Sequence, residues 1–177
     1  MERLFVAIPL PSETRTRLAA LQTDLRGARW TPAGQLHLTL LFLGDTEADA
    51  VAPLVRSISA LQAPPLALRF GGLGVFPNLR APRVLVAHVQ PDPHLMTLAA
   101  EVRAAAATLD FAAEARPFRP HVTLARLRDP DRGEIRRFLE ETPLAESFVA
   151  TEMVLYASRL TPQGAIHDRR AAFPLAG

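Results

Sequence analysis

The chain has no cysteine and no lysine. The first absence excludes disulfides and thiolate metal sites. The second means that all twenty basic residues are arginine. Genomic composition accounts for that more readily than function does, although the guanidinium fork suits phosphate and base stacking. Long apolar runs are missing too: none reaches the roughly 18 residues that cross a membrane. Met1 to Pro9 goes directly into a strand-like run and is too short for a secretory leader. A cytoplasmic protein with no membrane partner is therefore expected. Metal patterns are absent as well, with no His-x-His, no His-Glu-x-x-His and no carboxylate cluster beside the motifs described below. No metal and no cofactor is expected. Positive charge is in only small excess, the net being +2, so charge alone does not point to nucleic acid.

What the chain has is apolar residue, 49% of 177, ample for a core in one compact unit or two lobes sharing one. Residues 4–10 read as a strand. Ser12 reads as a helix cap, with Leu18, Leu21 and Leu25 at helical spacing up to Gly27. Residues 30–34 read as a loop, 36–43 as a strand closed by Gly44-Asp45, and 47–62 as a helix. A strand over 66–70 runs into Gly71-Gly72-Leu73-Gly74. That run fits neither a Walker loop nor a dinucleotide fingerprint and reads as a bend or bulge. A strand over 84–89, a helix over 93–109, a strand over 118–127 and a helix over 131–141 come next. Residues 148–160 and 166–175 read as a closing hairpin around Pro162-Gln163-Gly164. Strand, helix, loop, strand, helix thus occurs at 4–62 and again at 84–141. The expected fold is α+β: residues 1–177 form a single domain of two pseudo-symmetric lobes of mainly antiparallel sheet, with helices outside and a groove between the lobes.

Two stretches carry the chemistry. Leu36-His37-Leu38-Thr39-Leu40 and Pro120-His121-Val122-Thr123-Leu124 both read His-x-Thr-Leu inside an apolar run. In a strand, residues i and i+2 point the same way. Each motif therefore presents an imidazole beside a hydroxyl. Displacement at phosphorus needs a base on the entering oxygen, an acid on the leaving oxygen, and donors on the oxygens between. One histidine from each lobe supplies the two ends; Thr39 and Thr123 supply the middle. With five histidines and twelve threonines in the chain, the doubled motif with apolar flanks is rare by chance.

Nearly the whole chain resembles the two-histidine (HxTx) phosphoesterase superfamily, in its branch of RNA 2′,3′-cyclic phosphodiesterases, also called 2′-5′ RNA ligases. The resemblance runs through Arg3-Leu4-Phe5-Val6-Ala7-Ile8, the first motif with Phe42-Leu43-Gly44, Gly72 to Pro77, Pro120 to Arg126, and Leu155-Tyr156-Ala157-Ser158. It implies a hydrolase that opens a terminal RNA 2′,3′-cyclic phosphate to a 2′-phosphate without metal. It also implies joining of that end to a 5′-hydroxyl in a 2′-5′ linkage without ATP. By the same resemblance His37 is the proton donor, His121 the proton acceptor, and Thr39, Thr123 and Arg126 bind the phosphate. Five residues beyond His121, Arg126 is on the wrong face under strict alternation and reaches the phosphate only if the strand ends, twists or bulges near Ala125. Arg119 is on the histidine face by parity and is a second candidate for the RNA backbone. The expected partners are RNA ends carrying a cyclic phosphate, tRNA halves among them, acted on by a monomer.

A terminal base would stack on an aromatic ring. Phe5, Phe42, Phe76, Phe118 and Tyr156 are available, with no reason to single one out. Trp30 reads as edge packing. His88, His94 and His167 lack a threonine partner and read as surface or structural residues. Two other functions remain open: a phosphodiesterase for a small cyclic nucleotide or ADP-ribose cyclic phosphate, and an RNA-end binding protein with weak turnover.

Overall fold

A computed structural model describes residues 1–112, 115–162 and 164–177. Gln163, at the tip of the expected hairpin, lies outside them. The elements are β1 (Glu2–Pro9), α1 (Ser12–Ala19), β2 (Ala28–Trp30), β3 (His37–Thr46), α2 (Ala48–Ser59), β4 (Leu66–Phe76), β5 (Val84–Val89), α3 (Pro93–Ala107), β6 (His121–Leu127), α4 (Arg132–Glu141), β7 (Ser147–Ala150), β8 (Glu152–Thr161) and β9 (Gly164–Pro174). The fold is α+β, and every strand pairing is antiparallel.

The strand order is β7-β4-β5-β6-β3-β1-β8-β9, with β2 added on β6. The order is palindromic in its elements. The motif strands β3 and β6 are central, and outside each stands the strand that opens its half, β1 or β5. Among the described residues β3 and β6 meet through one residue pair, Leu38 with Val122. The far ends are tied by the chain itself, because β7 on one end runs straight into β8 near the other. The sheet must therefore curl. Helices α1 to α4 contribute to one core cluster on one sheet face, through Leu18, Leu54, Ile58, Leu98, Val102, Ile135 and Phe138. That burial of apolar surface is the main force holding the layers together. The other face is left for the motif side chains.

Several boundaries differ from the sequence reading. Ser12 is inside α1, not its cap; Pro11 holds the cap position and no side chain bonds there. The helix stops at Ala19, well short of Gly27. Leu21 and Leu25 still pack on the core, but the segment spends its hydrogen bonds on β2: Gln22 donates to the Thr31 carbonyl and the Trp30 indole to that of Thr23. The expected 30–34 loop holds the end of β2 and a 3-10 turn at Ala33–Gln35. β3 runs through Gly44-Asp45 instead of ending there. The second motif strand begins at His121, not Phe118. The long strand expected at 148–160 is two: Thr151 breaks it, so that β7 pairs with β4 while β8 pairs with β1 and β9. The glycine run is a bulge, as its composition suggests, with the β4–β5 register shifting between Phe70 and Leu73.

Candidate active site

The Leu38–Val122 pair sits between the two motifs. Continuing that antiparallel register one residue each way sets His37 across from Thr123 and Thr39 across from His121. Leu38 and Val122 point into the core and are fully buried. The four motif side chains therefore share the opposite face, where all are half-buried. Beneath the threonines this face has an apolar floor: Ala7 pairs with Thr39 and Val86 with Thr123, both fully buried. Neither belongs to the main core cluster.

The two imidazoles are held alike. His37 Nδ1 is 2.7 Å from the Gln35 carbonyl and His121 Nδ1 is 2.6 Å from that of Arg119. A carbonyl only accepts, so Nδ1 carries the proton in both rings. Each Nε2 is then free to accept a proton when the ring is neutral or to donate one when it is charged. Among the described residues neither threonine hydroxyl bonds to another protein group, which leaves both for a ligand.

Their surroundings differ. His37 stands in a ring of aromatic side chains: Phe5 at 4.9 Å between centroids, His167 at 5.4 Å and Tyr156 at 6.3 Å. Burial pushes its pKa down to about 4, against the Gln35 carbonyl, which raises it, and with further lowering by His167 and His121. His121 touches one ring, Phe76, edge-on at 4.9 Å.

Bulges set the direction of the side chains beyond each motif. Between Thr123 and Ala125 the β5–β6 register slips by a residue. In β3 the same slip against β1 falls between Thr39 and Leu41. Leu124 and Ala125 are consequently buried in succession, as are Leu40 and Leu41. The next residues, Arg126 and Phe42, then return to the histidine face, and both are exposed. The bulge thus meets the condition that the sequence set for Arg126. A family model described as LigT-like phosphoesterase matches the chain twice, at residues 8–86 and 88–167.

The chain belongs to the LigT-like phosphoesterase family.

Its relatives include proteins named RNA 2′,3′-cyclic phosphodiesterase. The one from Thermus thermophilus is 38% identical over 99% of this chain and 91% of that one. The one from Geobacillus stearothermophilus is 33% identical over 98% of this chain; it is longer, and the match spans 57% of it. Among solved structures, Escherichia coli LigT in complex with 3′-AMP superposes with a TM-score of 0.82 at 30% identity, covering 99% of each chain.

Within this LigT-like chain two histidines stand nearer the site than the sequence suggested. His88 pairs with His121 across β5–β6. It lies so close to Gly74 that a Cβ there would be 2.2 Å from its Nε2, so a side chain at that position would displace the ring. His167 packs edge-on against His37 and Phe5. Burial lowers both pKa values. Their proximity comes from strand order, which the sequence did not supply. His94 is exposed at the start of α3, as expected. Trp30 packs edge-on against Phe138 of α4 and does not rim the groove. Arg119 lies just before β6 and lines a cavity with His88, Gln90 and Phe118. Among the described residues no group of three or more histidines and carboxylates is placed to hold a metal ion. Among the described residues no helix is long and apolar enough to cross a membrane.

Proposed function

We infer that the protein hydrolyses RNA 2′,3′-cyclic phosphates with His37 and His121 as its acid and base. The observation that carries this reading is the matched pair of Nδ1–H···O=C bonds, which turn both Nε2 atoms to the same face across the Leu38–Val122 pair. In the step we propose, His121 Nε2 takes a proton from water as the water oxygen bonds to phosphorus. The bond from phosphorus to the 3′ oxygen breaks, and that oxygen takes the proton of His37 Nε2. The product is a 2′-phosphate and a 3′-hydroxyl, and proton exchange with solvent resets both rings. Burial of His37 makes its imidazolium a strong acid. The substrate's own negative charge favours protonation of that ring once it is in the groove. Thr39 and Thr123 donate to the phosphate oxygens between, and Arg126 balances their charge. A 5′-hydroxyl in place of water gives a 2′-5′ linkage by the same transfers, with the strained ring supplying the activation. We read residues 1–177 as one unit built from two related halves, acting as a cytoplasmic monomer on RNA ends such as tRNA halves.

The test is incubation of a short RNA ending in a 2′,3′-cyclic phosphate, with EDTA present. Wild type is expected to give the 2′-phosphate, and His121→Ala to be slower by about 10³-fold, within the range for a general base. Equal rates for the two proteins, or loss of wild-type activity in EDTA, would refute the mechanism.

A further inference from the structure

Among the described residues Arg17 pairs with Glu13 and Glu146, Arg159 with Asp168, Arg169 with Glu152, and Arg170 with Glu2. Another group does not. Arg80, Arg83, Arg126, Arg128 and Arg132 line a single cavity of about 640 Å³. All five are exposed, and among the described residues none of them makes an ion pair. Asp129 is the one carboxylate on the cavity wall. The neighbouring Asp131 is committed to the start of α4, where it accepts from the Gly133 and Glu134 amides. Five guanidinium groups gathered around one carboxylate repel one another, and an anion supplied from outside relieves that repulsion.

The backbone holds the cluster in place. Arg83 donates its amide to the Phe76 carbonyl and accepts from Leu127, which pins the β4–β5 connection to β6. The Arg132 guanidinium donates to the Arg80 carbonyl at 3.3 Å, tying that connection to the start of α4. The Arg128 amide donates to the Gly27 carbonyl at 2.9 Å. A Cβ on Gly27 would lie 2.0 Å from the Arg128 oxygen, so the approach needs glycine.

The cavity is also continuous with the candidate active site. Phe76, Val84 and Arg126 are cross-strand neighbours on β4, β5 and β6 and so share one sheet face. Phe76 touches His121 on that face, while Val84 and Arg126 line the cavity. Arg126 lies five residues beyond His121 along the strand, at most about 17 Å at 3.3 Å per residue.

We propose that this arginine cluster is a track for the sugar-phosphate backbone leading to the RNA end held between His37 and His121, which makes oligonucleotides better substrates than mononucleotide cyclic phosphates. The proposal rests on the cyclic phosphodiesterase reading for its direction. An acidic peptide fits the charge less well, because the track begins at the groove read above as a phosphate site.

The test uses a triple variant, Arg80→Gln with Arg83→Gln and Arg128→Gln. Arg126 is kept because it belongs to the phosphate site, and Arg132 because it ties two segments. Circular dichroism melting checks that the triple variant folds; single Arg83→Gln and Arg128→Gln proteins replace it if it does not. Binding of a labelled eight-nucleotide RNA ending in a 3′-phosphate is read first, by fluorescence anisotropy, since it requires no turnover. The variant is expected to bind at least tenfold more weakly. Its log–log salt dependence should fall by about 0.7 for each phosphate that is no longer neutralised. In turnover, kcat/KM for the cyclic eight-mer should fall at least tenfold, and that for a 2′,3′-cyclic mononucleotide less than twofold. Equal losses on both substrates, unchanged RNA binding and salt slope, or displacement of the RNA by polyglutamate of equal charge at equal concentration would overturn the track. A wild type that binds the RNA through these arginines and cleaves neither substrate would refute the phosphodiesterase reading and leave the track standing.

Discussion

The two motif strands share His-x-Thr-Leu, a carbonyl two residues before the histidine that holds Nδ1, and a bulge just after the threonine, yet they sit in different media. His37 is walled by Phe5, Tyr156 and His167. His121 faces Phe76, and arginines succeed it along the strand. One imidazole is placed where charge is penalised; the other stands on the strand that leads to the arginines. Repetition of a motif therefore duplicates geometry without duplicating chemistry. Environments that push two like groups apart are how a site obtains an acid and a base from the same side chain.

The largest break in this comparison is removal of either ring. His37→Ala is expected to cost about as much as His121→Ala, on the order of 10³-fold in kcat, because each transfer is needed in the same displacement. The two losses should differ in kind. A substrate carrying a leaving group far more acidic than a ribose hydroxyl needs no proton from His37, so it should restore much of the His37→Ala rate and little of the His121→Ala rate. Rescue of the His121 variant instead would exchange the two roles.

A smaller effect comes from the buried ring itself. The folded pKa of His37, about 4, lies below its unfolded value of 6.5. Above pH 6.5 both states are neutral at this site and its contribution is fully present. As pH falls from 6.5 to 4 the unfolded chain takes the proton first, and stability is lost; below 4 both states carry it and the loss stops. The full drop is roughly 3 kcal/mol, from 1.36 kcal/mol per pKa unit. Urea unfolding at pH 7 and pH 4 should show that extra acid loss in wild type and not in His37→Gln. The same pH dependence in both proteins would mean that the aromatic wall does not exclude water from the ring.

Much of this was legible beforehand, and what was missed has a common cause. Helices α2, α3 and α4 follow the apolar spacing of Leu54 and Ile58, Leu95, Leu98 and Val102, and Ile135 and Phe138. The motif strands follow from alternation. What alternation cannot give is strand order, and so the groove positions of His88 and His167 were hidden. His88 reaches the site because β5 pairs with β6, and His167 because its hairpin partner β8 pairs with β1. Thr151 hid the division of β7 from β8, because either half reads as a strand by itself. The bulges did leave a local mark: Leu40-Leu41 and Leu124-Ala125 are consecutive apolar residues where strict alternation wants one polar. Read that way, Phe42 and Arg126 return to the histidine face without any structure. Helix α1 shows the opposite failure, with Leu21 and Leu25 keeping helical spacing while hydrogen bonds to β2 and its neighbours hold the backbone elsewhere.

The smallest effects should come from the hydroxyls. Thr39→Val and Thr123→Val remove an oxygen and little else, and neither hydroxyl bonds to protein among the described residues, so stability should hold or rise slightly. Loss of one hydrogen bond to a charged oxygen is worth about 1.5–3 kcal/mol, or roughly ten- to hundredfold in turnover, well short of the histidine variants. The floor beneath them makes the pair unequal. Thr123 is paired with Val86 and Thr39 with Ala7, and the larger neighbour leaves the Thr123 hydroxyl less room to turn. A hydroxyl already fixed costs less to align, so Thr123→Val should be the more damaging change. The double variant decides whether the two act on one oxygen or two. If each holds its own non-bridging oxygen, the losses multiply; if both hold the same one, the second substitution costs far less than the first. Since the register sets each threonine opposite the other motif's histidine, separate oxygens and multiplying losses are expected. A double variant no slower than the worse single one would mean that only one half of the site grips the phosphate.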